Sequence, residues 1–351
     1  MTHANLAMRI SKLVTSRAFQ GVIVLVSAAM PAAAHATSFF EGKNISLVVG
    51  SAAGGSYDLY ARLISRHYGR HIPGHPNVSV RNMPGANSLS MATFLQDVAN
   101  PDGLTLGAPL NTLPLTQMIA AGKVRVDAAG FNWIGTLSSL TSVLATWHTT
   151  GVRTVDDAKT RTVLIGSTTP GTTLEMYPLI SNHVLGTKFQ VVSGYKGGAA
   201  INFAMERGEV DGRGAFSYVA LSFQHPDWVR EGKLNYLFQM TSKRDPMLPN
   251  TPTLLELADE GDSKQIVSIL VAIETIGRSL MSPPSTPSDR VVVLREGLMK
   301  LANDPQFLKD AERAKLEIKP TSGENLQRLV GDLVSLPAHV VKKYSDAVSG
   351  R

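Results

Sequence analysis

Short apolar runs and amphipathic runs alternate along most of this chain. "ISLVVG" predicts a strand, followed by a helix from Tyr57 to about His71 with Tyr60, Ile64 and Tyr68 four apart. "NVSV" reads as a strand and Ser88 to Ala99 as a helix, and "LTLGAPL" and "NWIGTL" read as two further strands. The pattern then repeats, with strand "RTVLIGS", a helix from Thr172 to Leu185, strand "KFQVVSGY" and a helix from Ala199 to Arg207. Strands "EVDGRGAF" and "KLNYLFQM" follow. "IVSILVAIETIG" reads as a buried strand, because Glu274 interrupts an apolar run that would otherwise suggest a membrane span. After the Pro-rich stretch "MSPPSTP", the remainder reads as helices. Alternation at this spacing means βαβ units and mainly parallel sheets. Two α/β units with a mainly helical C-terminal segment predict two lobes. The chain would cross between them near Leu140 to Trp147 and near Gln239 to Lys243. Residues 37–140 and 243–351 then form a discontinuous first lobe, and residues 141–242 the second.

The first 36 residues follow another pattern. Arg9, Lys12 and Arg17 precede the apolar run "GVIVLVSAAM", and Ala34-His35-Ala36 closes the segment. A basic region, a short apolar region and an Ala-x-Ala site predict a cleaved export signal and a periplasmic protein. Cleavage after Ala36 would leave Thr37 first. The leader carries three basic residues and no acid, so the 34 Lys and Arg fall to 31 against 28 Asp and Glu, a net charge of +3. That balance suits a small anionic ligand. Basic residues do not form a stripe with interleaved aromatics, which argues against nucleic acid. There is no cysteine, so disulfides and thiolate metal sites are excluded.

Several turns between strand and helix are stripped of bulk. In "VVGSAAGGSYDLYARLI", Gly54 and Gly55 can adopt positive φ and let a ligand approach the backbone. Ser51 and Ser56 add hydroxyls, and Ser56 is a candidate N-cap. Exposed N–H groups at a helix N-terminus favour an anion. Asp58, in the first helical turn, is stabilised there with or without a ligand. "GSTTPGTT" repeats the form in the second unit with Ser167, Thr168 and Thr172, and "SGYKGGAA" and "NMPGANS" add two more such turns. In open α/β sheets, turns at strand C-termini are where ligands sit. Convergent backbone donors and hydroxyls hold a carboxylate or a phosphate equally well.

Neither G-x-G-x-x-G nor the phosphate-loop pattern occurs, and there is no G-x-S-x-G or H-E-x-x-H. His67, His71 and His75 stand four apart, but Pro73 and Gly74 should end the helix before His75, so no metal site and no cofactor are expected. Lys196 and Arg213 are the basic residues nearest the small turns in sequence.

"LVVGSAAGGSYDLYARLI" resembles the strand, turn and helix of the solute-binding receptors of tripartite tricarboxylate transporters, the Bug family. The likeness continues in "RNMPGANS", "NPDGLTLG" and "GYKGGAAINFAMERGEVDG", and returns in "GKLNYLFQMTSKRDPMLPNTPTLLEL" and "PPSTPSDRVVVLREGLMKLANDPQFLKDA". The resemblance implies an α/β, two-lobed, periplasmic-binding-protein-like (Venus flytrap) fold. It also implies a monomeric receptor without catalysis, delivering a small organic acid to membrane permease subunits. An exported hydrolase-like enzyme and a receptor for a signalling partner are the alternatives. Carried over to this chain, the ligand would meet the first turn from Ser51 to Asp58, including Ala53, together with Asn87. It would meet the second turn from Ser167 to Thr173, and Tyr195 would line the far wall. Two departures stand out: Gly50-Ser51 replaces the common Pro-Phe, and "GRGAFSY" replaces an apolar continuation after Asp211. Arg213 lies in the second departure and is a candidate for a second carboxylate.

Overall fold

A computed structural model describes residues 39–119, 122–168 and 171–349, except the side chains of residues 219, 220 and 223. The expected leader and its cleavage point lie outside the described residues. The first half of the chain runs β1 (Asn44–Val49), α1 (Ser56–His67), β2 (Asn77–Asn82), α2 (Leu89–Asp97), β3 (Thr105–Ala108), α3 (Leu113–Ile119) and β4 (Asn132–Thr136). It then crosses to β5 (Ser142–Trp147), α4 (Val155–Thr160), β6 (Val163–Gly166), α5 (Thr173–Leu185) and β7 (Phe189–Val192). Next come α6 (Gly198–Glu206), β8 (Gly212–Ser217), α7 (Tyr218–Gln224), α8 (Pro226–Arg230) and β9 (Leu234–Gln239). The return brings α9 (Leu254–Leu257), α10 (Asp262–Ile276), β10 (Ser279–Ser282), α11 (Ser288–Leu301), α12 (Pro305–Arg313), β11 (Thr321–Ser322), α13 (Gly323–Val334) and α14 (Ala338–Val348).

The strands form two sheets, β11-β4-β10-β3-β1-β2 and β7-β6-β8-β5-β9. Parallel pairing holds for β1 with β2 and β3, and for β6 with β7 and β8. The expectation of mainly parallel sheets needs correction, because both sheets are mixed. β10 runs antiparallel between β3 and β4, and β5 runs antiparallel to both β8 and β9. Those strands carry the chain between lobes, and a crossing strand enters its sheet at the end where the parallel strands finish. Ser142, the first residue of β5, pairs with Ser217, the last of β8, and Val143 pairs with Gln239, the last of β9. In the first sheet, Ser279 at the start of β10 pairs with Thr136 at the end of β4. The carboxyl edges of the two sheets therefore both lie where the chain crosses.

One core packs a face of the first sheet against α1, α11 and α12, with Leu47, Val49, Ile64, Leu294, Leu298 and Phe307 buried. Another packs α6 and α8 on the second sheet through Ala145, Ile201, Ala204 and Trp228. The largest core runs through both lobes and holds Trp133, Tyr177, Ile180, Leu270, Val330 and Tyr344. Tyr344 of α14 bonds Met176 of α5 at 3.0 Å, so the helical C-terminal segment reaches the second lobe as well as the first.

"IVSILVAIETIG" is not a strand. It lies in α10, a fifteen-residue helix running between Gly261 and Gly277. Ile266, Val267, Ile269, Leu270, Ile273 and Ile276 are all buried, because the helix is wedged between the lobes and its exposed face is confined to Asp262, Gln265 and Ser268 in its first half. An apolar run without a polar face carries no period, and length alone separates a buried helix from a buried strand. Burial of Glu274 in this helix is stabilised by hydrogen bonds from Ser142 (2.6 Å) and from Tyr177.

Candidate functional site

The first small-residue turn follows β1 directly. Gly50 N–H donates to Ala108 at 2.9 Å, joining the ends of β1 and β3. Ser88 braces the same point, donating through Oγ to Gly50 O at 3.0 Å and accepting from Leu110 N–H at 2.9 Å. A Cβ on Gly50 would stand 2.3 Å from Ser88 Oγ, so this approach requires glycine. Ala86, Asn87 and Ser88 have φ of 45°, 52° and 71°, a left-handed stretch of three residues that places Ser88 inside and Asn87 in solvent.

Gly54, at φ +81°, turns the chain into α1, and its N–H donates to Asp58 Oδ2 at 2.9 Å. Asp58 also accepts from Arg62 at 2.9 Å and from Asn82 at 3.0 Å, and Asn82 bonds Ser51 O at 3.0 Å. These partners, Arg62 first and then Gly54, hold the Asp58 carboxyl down at about 2. Asp58 is thus engaged within the loop and shapes it. Two expectations need correction. Gly55 is the N-cap at φ −80°, a conformation open to any residue, so its freedom is not used. Ser56 is the first helical residue and not the cap. Ala53, Gly54, Gly55 and Ser56 are exposed at the end of α1, where first-turn N–H groups lack helical acceptors.

The second turn repeats this construction. Gly171, at φ +79°, donates its N–H to Glu175 Oε2 at 2.7 Å, again an acid four residues on in the first helical turn. Ser167 N–H bonds Val192 O at 2.8 Å, and Gly194 N–H bonds Thr168 O at 2.8 Å. Tyr195 N–H bonds Ser167 O at 3.2 Å, so the third turn is zipped to the second. Thr172 is the N-cap of α5. Ser51 Oγ and Ser167 Oγ, the first side chains after β1 and β6, are both buried with no hydrogen-bond partner among the described residues. An unmet buried hydroxyl costs about 1–3 kcal/mol, so two in equivalent places mark where an acceptor or water belongs.

Arg213 stands near the start of β8, not at its end, yet it is level with Gly166 at the end of β6. β8 runs on four residues past Arg213, so Arg213 is level with the end of β6 and the start of the second turn, and it pairs with Ala145 inside β5 rather than at the edge where Ser217 meets Ser142. Its guanidinium lies 4.7 Å from the Phe216 ring centre and donates to Asn202 Oδ1 at 3.2 Å. Nε is buried and has no partner among the described residues, and no carboxylate there pairs with it. Burial lowers its pKa to about 10, which leaves it charged at neutral pH. Lys196 is exposed.

The structure separates the three histidines of the metal-like spacing. His67 meets Asp310 at 3.0 Å and His71 meets Asp304 at 2.8 Å, both on or at α12, while His75 follows the helix break at φ 48°. A hollow of 320 Å³ lined by Leu140, Lys243, Glu274 and Lys319 lies beside the crossings and includes neither small-residue turn.

A family model described as tripartite tricarboxylate transporter family receptor matches residues 69–345. The chain belongs to that family. This receptor is 26% identical over 325 residues to the UPF0065 protein of the gbd 5′ region of Cupriavidus necator, covering 90% of this chain and 91% of the other. Among solved structures it is similar to a solute-binding protein from Polaromonas, with TM-score 0.66, 20% identity and coverage of 88% and 99%. An R. palustris protein with adipate gives TM-score 0.61, 19% identity and coverage of 87% and 98%. MatC from Rhodopseudomonas palustris with bound malate gives 0.58, 19%, 88% and 100%. These likenesses confirm the two-lobed fold.

Asn82 and Ser88 belong to the "NMPGANS" turn but carry no signal of their own there, and Asn111 has none in the sequence. Asn111 bonds Tyr57 of α1 in both directions (3.0 and 3.1 Å) and Ile273 O of α10 at 3.2 Å, contacts that only the assembled receptor creates. Arg62 was legible as a base four residues after Asp58.

The first turn supports a direct test. Gly54→Ala should destabilise the receptor by about 1–2 kcal/mol, since a side chain disfavours left-handed backbone. If the turn lines the ligand, affinity should fall further than stability, whereas Gly55→Ala at φ −80° should fold normally. Urea unfolding and calorimetry on both variants measure this difference.

Proposed function

We propose that this receptor is exported to the periplasm and captures a small organic acid between its lobes, delivering it to the permease of a tripartite tricarboxylate-type transporter. The observation that carries the reading is the matched pair of turns. Each has a strand end, a buried serine hydroxyl without a hydrogen-bond partner among the described residues, a left-handed glycine tied to an acid four residues on, and a helix N-terminus. Such turns offer backbone and hydroxyl donors to a carboxylate from both sides, directly or through water. Closure follows because only the closed arrangement contacts the ligand from both lobes. The carboxylates named with two structural neighbours support this ligand class.

The proposed first lobe is 37–140 with 243–351 and the second 141–242, an assignment supported by the distribution of strands between sheets. Ser51, Ser167, Thr168 and Thr172 make the anion seat, with Tyr195 and Asn87 at its margins and Asp58 holding the first turn. Among the described residues, no helix is long and apolar enough to cross a membrane. Native mass spectrometry of gently purified protein should find a retained organic acid. Calorimetry should show that Ser51→Ala with Ser167→Ala weakens its binding. A folded protein that retains no acid and binds none from a set of mono-, di- and tricarboxylates would refute the reading.

A further inference from the structure

We infer that Arg278 is a specificity-determining residue of the cleft, contacting an anionic oxygen of the ligand from the first lobe while Arg213 does so from the second. This rests on the carboxylate-receptor reading above. Arg278 immediately precedes β10, whose first residue pairs with the last of β4. It therefore stands at the carboxyl edge of the first sheet, the edge that also carries Gly50 and Asn111.

Its guanidinium is held on a tyrosine platform supplied by α1, the helix that follows the first turn. The centre of the group is 4.5 Å from the Tyr60 ring and 5.6 Å from the Tyr57 ring. Both rings are fixed through their hydroxyls: Tyr60 donates to Glu317 O at 2.7 Å, and Tyr57 is bonded to Asn111. Nη1 donates to Ser138 Oγ at 2.9 Å.

The rest of the group is under-used. A guanidinium has five N–H donors, and Arg278 Nε is buried with no partner among the described residues. No carboxylate there lies within ion-pair distance of it. The neighbouring acids do not fill the role. Both feel its charge from beyond ion-pair distance, but Glu274 accepts from Ser142 and Tyr177, and Glu317 Oε2 is buried with no hydrogen-bond partner among the described residues. A fixed cation with unmet donors at a strand edge, close to a helix N-terminus, is arranged for an anion that arrives from outside.

With Arg213 on the other wall, the cleft carries two cations that lack carboxylate partners among the described residues. Closing it empty brings like charges together. Closing it on a ligand with two anionic groups neutralises both. A neutral solute satisfies neither, and a monoanion leaves one unpaired.

The test uses full-length mature receptor and its Arg278→Gln and Arg278→Lys variants, titrated calorimetrically with adipate, malate and the half-amide of each. Wild type should prefer a diacid over its half-amide. Arg278→Gln should weaken the diacid roughly 10- to 100-fold and the half-amide far less, so the preference collapses. Arg278→Lys should fall between, because it keeps the charge and loses the fork. A folded Arg278→Gln that keeps both affinity and preference overturns the inference. If that variant does not fold, Arg278→Lys binding like wild type overturns it. If folded wild type binds none of the four and no acid of the mono-, di- and tricarboxylate set above, the carboxylate-receptor reading fails and this inference fails with it. If it binds them without regard to position 278, only this inference fails.

Discussion

Alanine at position 213 is expected to cost about 2–4 kcal/mol of diacid affinity, much of it from leaving one ligand carboxylate unpaired in the closed cleft. A monoacid of matched length should lose far less. The structure explains why the effect should fall on the ligand. Arg213 has Asn202 and the Phe216 ring for company and no carboxylate partner among the described residues. It is therefore not held by an inter-lobe salt bridge there, and folding stability should be unchanged or slightly higher in Arg213→Ala. Calorimetry on both ligand types, beside urea unfolding, separates the outcomes. Equal losses for diacid and monoacid would mean that Arg213 does not read the second charge. A large fall in stability with intact binding would make it a structural cation.

The second large effect belongs to Glu274. Its carboxyl sits in α10, buried at the crossing, and accepts from Ser142 at the start of β5 and from Tyr177 in α5. Leu140 N–H donates to its main-chain oxygen at 2.9 Å. One residue therefore ties the crossing strand, and the helix that presents the second turn, to the return path. Burial raises its pKa from 4.5 to about 7, against the lowering effect of its two donors and of Arg278, while Glu317 adds to the rise. Between those pH values the folded protein binds more protons than the unfolded chain, so stability falls as pH rises through this window. Above it, the ionised carboxylate costs roughly 3 kcal/mol. Glu274→Gln keeps the shape and removes the titration, so it should flatten this slope and gain stability at pH 8 relative to wild type. Glu274→Ala should lose about 3–5 kcal/mol, because Ser142 and Tyr177 are left without their acceptor. Urea unfolding at pH 5 and pH 8 measures both. Identical pH slopes in wild type and Glu274→Gln would remove Glu274 as the source.

Much of the fold was legible in the sequence because strand and helix periods differ. β1, β6 and β7 read as short apolar runs, and α1, α5 and α6 follow small-residue turns at the expected places. The C-terminal helices α11 to α13 read the same way. The α10 segment does not read as a helix because its second half, from Ile269 on, is buried on nearly every side, and only Asp262, Gln265 and Ser268 at its start mark a solvent face. The turn at Gly54 was recognisable as glycine-rich, but which glycine takes positive φ depends on where the N–H of residue 54 finds Asp58. Likewise, the acid in the first turn was visible, and its partners Asn82 and Arg62 were what assigned its carboxylate to the loop.

The sequence by itself determined the alternation of elements, the two small-residue turns, the resemblance to a receptor family and the unusual arginine at 213. Those are local properties, set by spacing along the chain and by what glycine, serine and charge do wherever they occur. Tertiary structure decided which groups face each other. It set the antiparallel crossing strands, the buried hydroxyls of Ser51 and Ser167, the tyrosine platform beneath Arg278 and the burial of Glu274 between α10, β5 and α5. The members of each set lie far apart in sequence, and only sheet order and helix packing bring them within hydrogen-bonding or charge distance.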